Sequence, residues 1–302
     1  MKHVAVLMGG WSAEREVSMD SGLACSEALK ACGYEVSPVD VGRDIAETLA
    51  RIRPDVCFNA LHGRYGEDGF IQGLLEVMGI PYTHSGVLAS ALAMDKPVAK
   101  TLFEAAGMRC ADGKIFTRQE IQNGADFPKP FVIKPLNEGS SVGVTIVLEN
   151  DNISLGDIPW VFGEKVLIES YIPGREIQVA VMGDTALGAV EIRPLGRFYD
   201  YEAKYTSGKA DHLMPAPLSS EDYAEALRLA KLAHDTLGCR GVSRSDFRFD
   251  DTGEGAGKFY ILETNTQPGM TELSLVPEIA GHSGMSFEDL VRWIVEDASC
   301  DR

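Results

Sequence analysis

The sequence predicts a chain that is α/β at its N-terminus and α+β beyond, opening with a doubly wound parallel sheet. Three observations carry this. Strand-like apolar runs alternate with helical segments over residues 4–78, the βαβα order of a parallel sheet covered on both faces. From Pro81 the alternation gives way to short apolar runs separated by tight glycines, a pattern of antiparallel strands. Two late runs, 242–249 and 258–262, then deliver charged and amide side chains near their ends.

The first strand spans 4–8 and ends in Gly9-Gly10. Ser12 is expected to cap the next helix, with Glu14 and Glu16 in its first turn, where the dipole favours acids, and Gly33 stops it. A strand over 34–39, a helix over 44–52, a strand over 56–60 and a helix over 69–78 follow. Ligands of such sheets bind at the C-terminal strand ends, which here carry Gly9-Gly10 and Leu61-His62-Gly63. A helix over 96–106 ends at Gly107. Strands over 130–134, 142–148, 166–169 and 176–182 then group as a small antiparallel α+β unit, with a loop or short turn over 150–160. A strand over 185–192 opens a third region. Its loop, roughly 196–217, far exceeds the usual ~4–6 residue connection and reads as a lid or a disordered segment. A helix over 219–237 carries the cap signal Ser219-x-x-Asp222 and the stop Gly238, and a helix over 286–296 closes the chain.

With 302 residues, the chain is long enough for two or three domains and a sizeable core. Its net charge of −17 argues against nucleic acid, whose phosphates need a basic stripe. An acidic chain still binds an anionic nucleotide where a few cations gather locally. The six Cys include no C-x-x-C pair and read as reduced thiols of a cytosolic protein, not as a disulfide framework or a zinc site. The apolar run 4–8 is too short for a signal segment or a membrane span, so no membrane partner is expected.

The segment 262–271, Leu-Glu-Thr-Asn-Thr-Gln-Pro-Gly-Met-Thr, is the most informative. Glu263 and Asn265 stand two apart on a strand, hence on one face. Such hard oxygen ligands suit Mg²⁺ together with phosphate oxygens. Pro268-Gly269 turns the chain and brings backbone N–H groups close to a ligand. Arg244 and Asp246 supply a cation and a third metal ligand. Taken singly, each fits an ordinary strand ending in a turn; together they point to phosphoryl chemistry. Glu138-Gly139-Ser140-Ser141-Val142-Gly143 is too long for a plain hairpin turn and suits a lid over phosphates, with Lys134 just before it. It is neither a P-loop nor a dinucleotide fingerprint. Glu169-Ser170-Tyr171-Ile172 and Glu176 suit an adenine edge and ribose hydroxyls, although in isolation a surface bend is the better explanation. In the long loop, Lys204 and Tyr205 are placed to reach a site, whereas Tyr199 and Tyr201 also fit core packing. His62 is a substrate candidate by its place between Leu61 and Gly63; a structural role stays open.

In this order the motifs resemble the D-alanine–D-alanine ligase family of the ATP-grasp superfamily. The resemblance runs from Met8-Gly9-Gly10-Trp11-Ser12-Ala13-Glu14-Arg15-Glu16-Val17-Ser18 through Ala60-Leu61-His62-Gly63, Gly66-Glu67-Asp68-Gly69, Met94-Asp95-Lys96, the Gly139 loop and Phe198–Tyr205 to Glu263–Thr271, nearly the whole chain. It implies an N-terminal doubly wound α/β substrate domain over 1–95. A two-part ATP-grasp fold follows, central over 96–183 and C-terminal over 184–302. The activity implied is ligation of two D-alanines by way of an acyl phosphate, with ATP as co-substrate and two Mg²⁺ (Mn²⁺ as a substitute). A cytoplasmic homodimer serving peptidoglycan synthesis is also implied. Carried over residue by residue, Lys96, Lys134, Ser140, Ser141 and Lys204 would meet ATP phosphates, Glu169 and Ile172 adenine, and Glu176 ribose. Asp246, Glu263 and Asn265 would hold the metals. Glu14 would bind the first D-alanine's ammonium with His62 beside it, and Ser140, Tyr205 and Glu14 would form a linked triad. Lys204, Ser274 and the backbone at Leu275 would receive the second substrate, and Arg244 with the Gly269 N–H would form an oxyanion hole. Tyr205 resembles dipeptide-forming members and points to an amine, not a hydroxy acid, as second substrate. Ser170-Tyr171 departs from the Lys-Trp pair of some members, as do Ser243, Gln267 and the small turn at 253–257; none removes a ligand.

Three other readings stay open on the residues. Another ATP-grasp ligase is disfavoured by the set Glu14, His62, Tyr205 and Ser274. A silent nucleotide-binding module would not need Arg244, Asp246, Glu263 and Asn265 together. A nicotinamide-dependent dehydrogenase lacks its fingerprint at Gly9-Gly10-Trp11-Ser12.

Overall fold

The computed structural model describes residues 1–137, 143–158, 160, 163–196, 206, 208–252 and 257–301. The chain starts with β1 (His3–Met8), α1 (Arg15–Ala31), β2 (Glu35–Asp40), α2 (Ile45–Ile52), β3 (Val56–Asn59) and α3 (Phe70–Met78). The three strands pair in parallel in the order β2-β1-β3. Alternation along β1 sends Val4 and Val6 to one face, against Cys25 and Leu29 of α1. Ala5 and Leu7 go to the other, against Leu49 of α2 and Ile71 and Leu75 of α3. This is the doubly wound arrangement expected from the sequence.

Ser12 does not cap α1. The helix begins at Arg15 with Glu14 as its capping residue, and the Ser12 hydroxyl instead donates to the His62 carbonyl at 2.6 Å. That bond ties the β1–α1 turn to the end of β3, the two strand ends where ligands of such sheets sit.

Next come α4 (Val87–Met94) and α5 (Lys96–Ala105), then β4 (Gly113–Thr117), α6 (Arg118–Gln122), β5 (Phe131–Pro135), β6 (Thr145–Val147) and β7 (Lys165–Ser170). Asp95 caps α5 by accepting from the Val98 N–H at 3.1 Å. The strands form an antiparallel sheet, β4-β7-β5-β6, over a small core of Phe116, Phe131, Ile133 and Ile168.

The remaining strands, β8 (Arg175–Met182), β9 (Thr185–Pro194), β10 (Ala210–Leu213), β11 (Val242–Asp250) and β12 (Lys258–Asn265), form a second antiparallel sheet in the order β10-β9-β8-β11-β12. The strand expected over 176–182 belongs to this sheet and not, as the sequence suggests, to the central one: β8 hydrogen-bonds to β9 and β11. The chain therefore changes sheets within residues 171–174. α7 (Ser220–Leu237), capped by Ser219 as expected, covers one face through Ala226, Ala230 and Ala233. α8 (Leu275–His282) and α9 (Phe287–Glu296) cover the other. Val276, Ile279, Leu290 and Val291 share one core with Val4, Val6 and Leu29, so the parallel unit and the five-stranded sheet are packed together. Two antiparallel sheets behind a doubly wound unit give the two-part ATP-grasp architecture.

Candidate active site

The two antiparallel sheets face each other across a cavity of about 400 Å³. Its lining includes Lys96, Lys134, Glu169, Ile172, Glu176, Asp246 and Glu263. Seven of the expected ligands, spread over 168 residues of sequence (96 to 263), are thus gathered around one space large enough for a nucleotide.

Lys134 leaves β5, and Glu169 leaves the adjoining β7. Glu169 is almost fully buried and accepts from Lys134 with one oxygen and from Lys100 with the other. Burial alone would raise its carboxyl; the two ammonium groups offset that and hold it below the usual carboxylate range. Lys134 is raised because Glu169 outweighs the burial that would lower it. Arg248 of β11 donates to the carbonyls of Ile172 at 3.1 Å and Gly174 at 2.6 Å. Its guanidinium stacks over Tyr171 at 5.6 Å and fixes the strand-to-strand crossing at which an adenine edge would bind. Glu176 accepts from Gln178 at 3.1 Å.

On the far wall, Asp246 stands directly opposite Glu263, and Arg244 opposite Asn265, across β11 and β12. Cross-strand partners share a face, so the four project together as the alternation required. Lys96, the first residue of α5, reaches Glu263 at 3.6 Å. Arg244 grips Asp246 through two bonds of 2.7 and 2.9 Å. The Asn265 carbonyl oxygen accepts from the Gln267 N–H at 2.7 Å, closing the turn that starts the loop. Two opposed carboxylates beside a phosphate-sized space fit Mg²⁺, which is bound by one or two carboxylates plus substrate phosphates. Among the described residues no three His, Cys, Asp or Glu side chains form a metal cluster by themselves.

The parallel unit meets the loop after β12 through a set of buried hydrogen bonds. His62 is buried, with Nε2 3.3 Å from the Ser21 hydroxyl, which in turn accepts from the Met270 N–H at 3.2 Å. Burial, and the charge of Arg244 nearby, push His62 down to about 4, so the imidazole is neutral at pH 7. Glu14 is buried, and its Oε2 lies 2.7 Å from where a side chain on Gly63 would begin. Gln267 is locked between Asn59 and the Leu61 carbonyl, which pins the loop to the parallel sheet. Gly269 has no room for a side chain: a Cβ would sit 2.8 Å from the Ser274 hydroxyl. Ser274 precedes α8 and its hydroxyl accepts from the upstream Thr271 N–H at 2.9 Å, not from the helix, while the buried Leu275 begins that helix. Ser140, Ser141, Lys204 and Tyr205 lie outside the described residues.

Sequence reading missed Lys100, Arg248 and Glu67. Lys100 follows Lys96 by one helical turn and Arg248 follows Asp246 by two residues, spacings that place each beside a chosen residue. Glu67 belongs to a quoted motif without a role. It accepts from the Gly63 N–H at 2.9 Å, and burial beside Glu14 pushes it up to about 8. In the unfolded chain it ionises near 4.5. The native state therefore holds an extra proton between these values, and the stabilisation present below 4.5 is lost as pH rises through 8. Wild type should lose stability toward alkaline pH by up to ~1.4 kcal/mol per unit from this group. Glu67→Gln should flatten that slope in denaturant titrations at pH 6, 7 and 8; an unchanged slope would assign it elsewhere.

A family model described as "D-ala D-ala ligase N-terminus" matches residues 41–85, and one described as "D-ala D-ala ligase C-terminus" matches residues 102–296. A D-alanine--D-alanine ligase of Parvibaculum lavamentivorans is 55% identical over 304 residues, covering 100% of this chain and 99% of its own length. The crystal structure of a Bacillus anthracis D-alanine--D-alanine ligase superposes with a TM-score of 0.82 at 32% identity, covering 98% of this chain and 97% of that one. A structure of the Bacillus anthracis ligase complexed with ATP gives the same TM-score at 29% identity, with the same coverage. The opposed sheets, the lysine- and carboxylate-lined cleft and these full-length matches agree: the chain belongs to the D-alanine–D-alanine ligase family.

Proposed function

We propose that this enzyme joins two molecules of D-alanine into D-alanyl-D-alanine at the expense of ATP, as a supplier of peptidoglycan precursor in the cytoplasm. The observation that carries the reading is the convergence of Lys96, Lys134, Glu169, Glu176, Asp246 and Glu263 on one cleft. Six free cysteines, with no membrane-length apolar helix among the described residues, support the compartment. A homodimer and the three-unit division are carried from the family resemblance, with the first boundary at 95 and the second moved from 183 to the sheet change within residues 171–174.

In this reading ATP lies between the two sheets, with adenine against Glu169 and Ile172, ribose at Glu176 and phosphates at Lys96 and Lys134. Bound at Asp246, Glu263 and Asn265, two Mg²⁺ would neutralise the phosphate charge and polarise the transferred group. Ser140, Ser141 and Lys204 would meet the phosphates, as the resemblance implies, and an acyl phosphate has to be kept from water, which would hydrolyse it. Glu14 holds the ammonium of the first D-alanine. Neutral His62 places that substrate without adding a positive charge beside Arg244. The carboxylate of the first D-alanine attacks the γ-phosphorus and releases ADP. Ser274, the N–H of Leu275 and Lys204 receive the second D-alanine and its carboxylate, and its free amine then attacks the acyl carbon and expels phosphate. Arg244 and the Gly269 N–H donate to the oxyanion. The amine proton leaves toward the Tyr205–Ser140–Glu14 link.

Arg244→Met should lower kcat ~10²–10³-fold, the ~2.7–4 kcal/mol typical of one lost oxyanion donor, in steady-state phosphate release. A tenfold loss or less would remove Arg244 from that role. Phosphate release with MgATP should be strong with D-alanine and absent with L-alanine. D-Alanine plus D-lactate at pH 7 should yield only the dipeptide by mass, since Tyr205 marks an amine acceptor. Efficient ester formation would contradict the acceptor assignment, and turnover with neither alanine would move the search to another carboxylate.

A further inference from the structure

Beside the nucleotide cleft, against Glu169, lies a buried lysine that this reaction does not use. Lys100 sits one turn beyond Lys96 on α5, its side chain 13% exposed. Its ammonium donates to the Ala111 carbonyl at 2.5 Å and to one oxygen of Glu169, whose other oxygen takes Lys134. The opposite strand makes room for this triad. Gly113 pairs directly with Glu169 across β4 and β7, and a Cβ there would lie 2.8 Å from the Glu169 Cγ and 3.4 Å from the Lys100 Nζ.

The two lysines are not equivalent. Lys134 lines the cleft, whereas the described lining does not include Lys100, whose ammonium is held in place by the Ala111 carbonyl. A polyphosphate entering the cleft competes with Glu169 for Lys134. With Lys134 as its one counter-ion, Glu169 would then be a buried carboxylate without a cation, which is strongly unfavourable. Such a group takes up a proton or turns away, and either change removes a fixed acceptor from the base-binding wall. We infer that Lys100 is a positioning residue, the standing counter-ion that holds Glu169 against the purine while Lys134 turns to the phosphates. Selection of a 6-amino purine, whose exocyclic N–H donates to a carboxylate, over a 6-oxo purine, whose 6-oxygen can only accept, therefore depends on Lys100. The inference rests on the assignment of Glu169 to adenine.

The test is the ratio of kcat/KM for ATP over ITP in wild type, Lys100→Met, Lys100→Arg and Glu169→Gln, with D-alanine saturating. Wild type should favour ATP by about 10²-fold or more. Lys100→Met should lose roughly tenfold of that preference, chiefly through KM for ATP, while kcat stays within a few-fold. Lys100→Arg should restore most of it. Gly113→Ala, which crowds Glu169 and Lys100 from the neighbouring strand, is a second route to the same loss should Lys100→Met fail to fold. An unchanged ratio in Lys100→Met or Gly113→Ala beside a collapsed ratio in Glu169→Gln would overturn the role of Lys100 and leave the adenine assignment standing. An unchanged ratio in Glu169→Gln would overturn both.

Discussion

Glu263→Gln is expected to reduce kcat about 10³-fold, or ~4 kcal/mol of barrier, with the fold intact. Glu263 ends β12 opposite Asp246 and 3.6 Å from Lys96, where a carboxylate meets both the metal-sized space and the phosphate-binding lysine. Gln keeps the shape and one acceptor oxygen but removes the negative charge that draws a hard cation. Stability should change little, because the side chain is 28% exposed and ion pairs of that exposure contribute little net energy. Phosphate release at saturating ATP and D-alanine, beside a thermal melt, measures both. Activity within a few-fold of wild type would remove Glu263 from the metal site.

Glu169→Ala is expected to be the most damaging single change to stability, by ~3–5 kcal/mol, because it leaves Lys100 and Lys134 buried without their shared carboxylate. At ~2–4 °C per kcal/mol this is a drop of roughly 6–20 °C in Tm. The pH dependence has a definite sign. Glu169 is held below its usual range in the folded chain, so its stabilisation is present above 4.5 and is lost as pH falls through the folded value. The variant and wild type should therefore differ most at neutral pH and converge in acid. A loss below 1 kcal/mol at pH 7 would mean that the two lysines find other partners.

The parallel unit was legible because β1 is a continuous apolar run buried on both faces and runs of this kind alternate with helical segments that glycines bound. Helices α4 and α8 were not. Val87–Met94 is apolar nearly all round, so no face stands out. Leu275–His282 carries Pro277 in its first turn, where the absent N–H has no helical partner to lose, yet proline in sequence reads as a break. Strand β8 was found but assigned to the wrong sheet, since a period of two marks a strand without naming its neighbours. Ser12 was misread because the helix starts only at Arg15: the Ser12 hydroxyl accepts from the Glu14 N–H at 3.2 Å, ahead of the first helical residue, and donates to the His62 carbonyl, 50 residues away. The same limit hid Lys100: its spacing from Lys96 was visible, but its partner lies 69 residues downstream. The cross-strand set of Arg244, Asp246, Glu263 and Asn265 was legible because alternation alone puts each pair on one face.

Carboxylate activation by phosphoryl transfer is tested most directly with D-alanine labelled with ¹⁸O in its carboxyl group, incubated with MgATP and analysed by mass spectrometry. The carboxylate oxygen that attacks phosphorus must leave with the phosphate when the amine arrives. One ¹⁸O per turnover in inorganic phosphate, together with a D-alanyl-D-alanine product that has lost one label, is the predicted result. Unlabelled phosphate, or phosphate release without dipeptide, would contradict it.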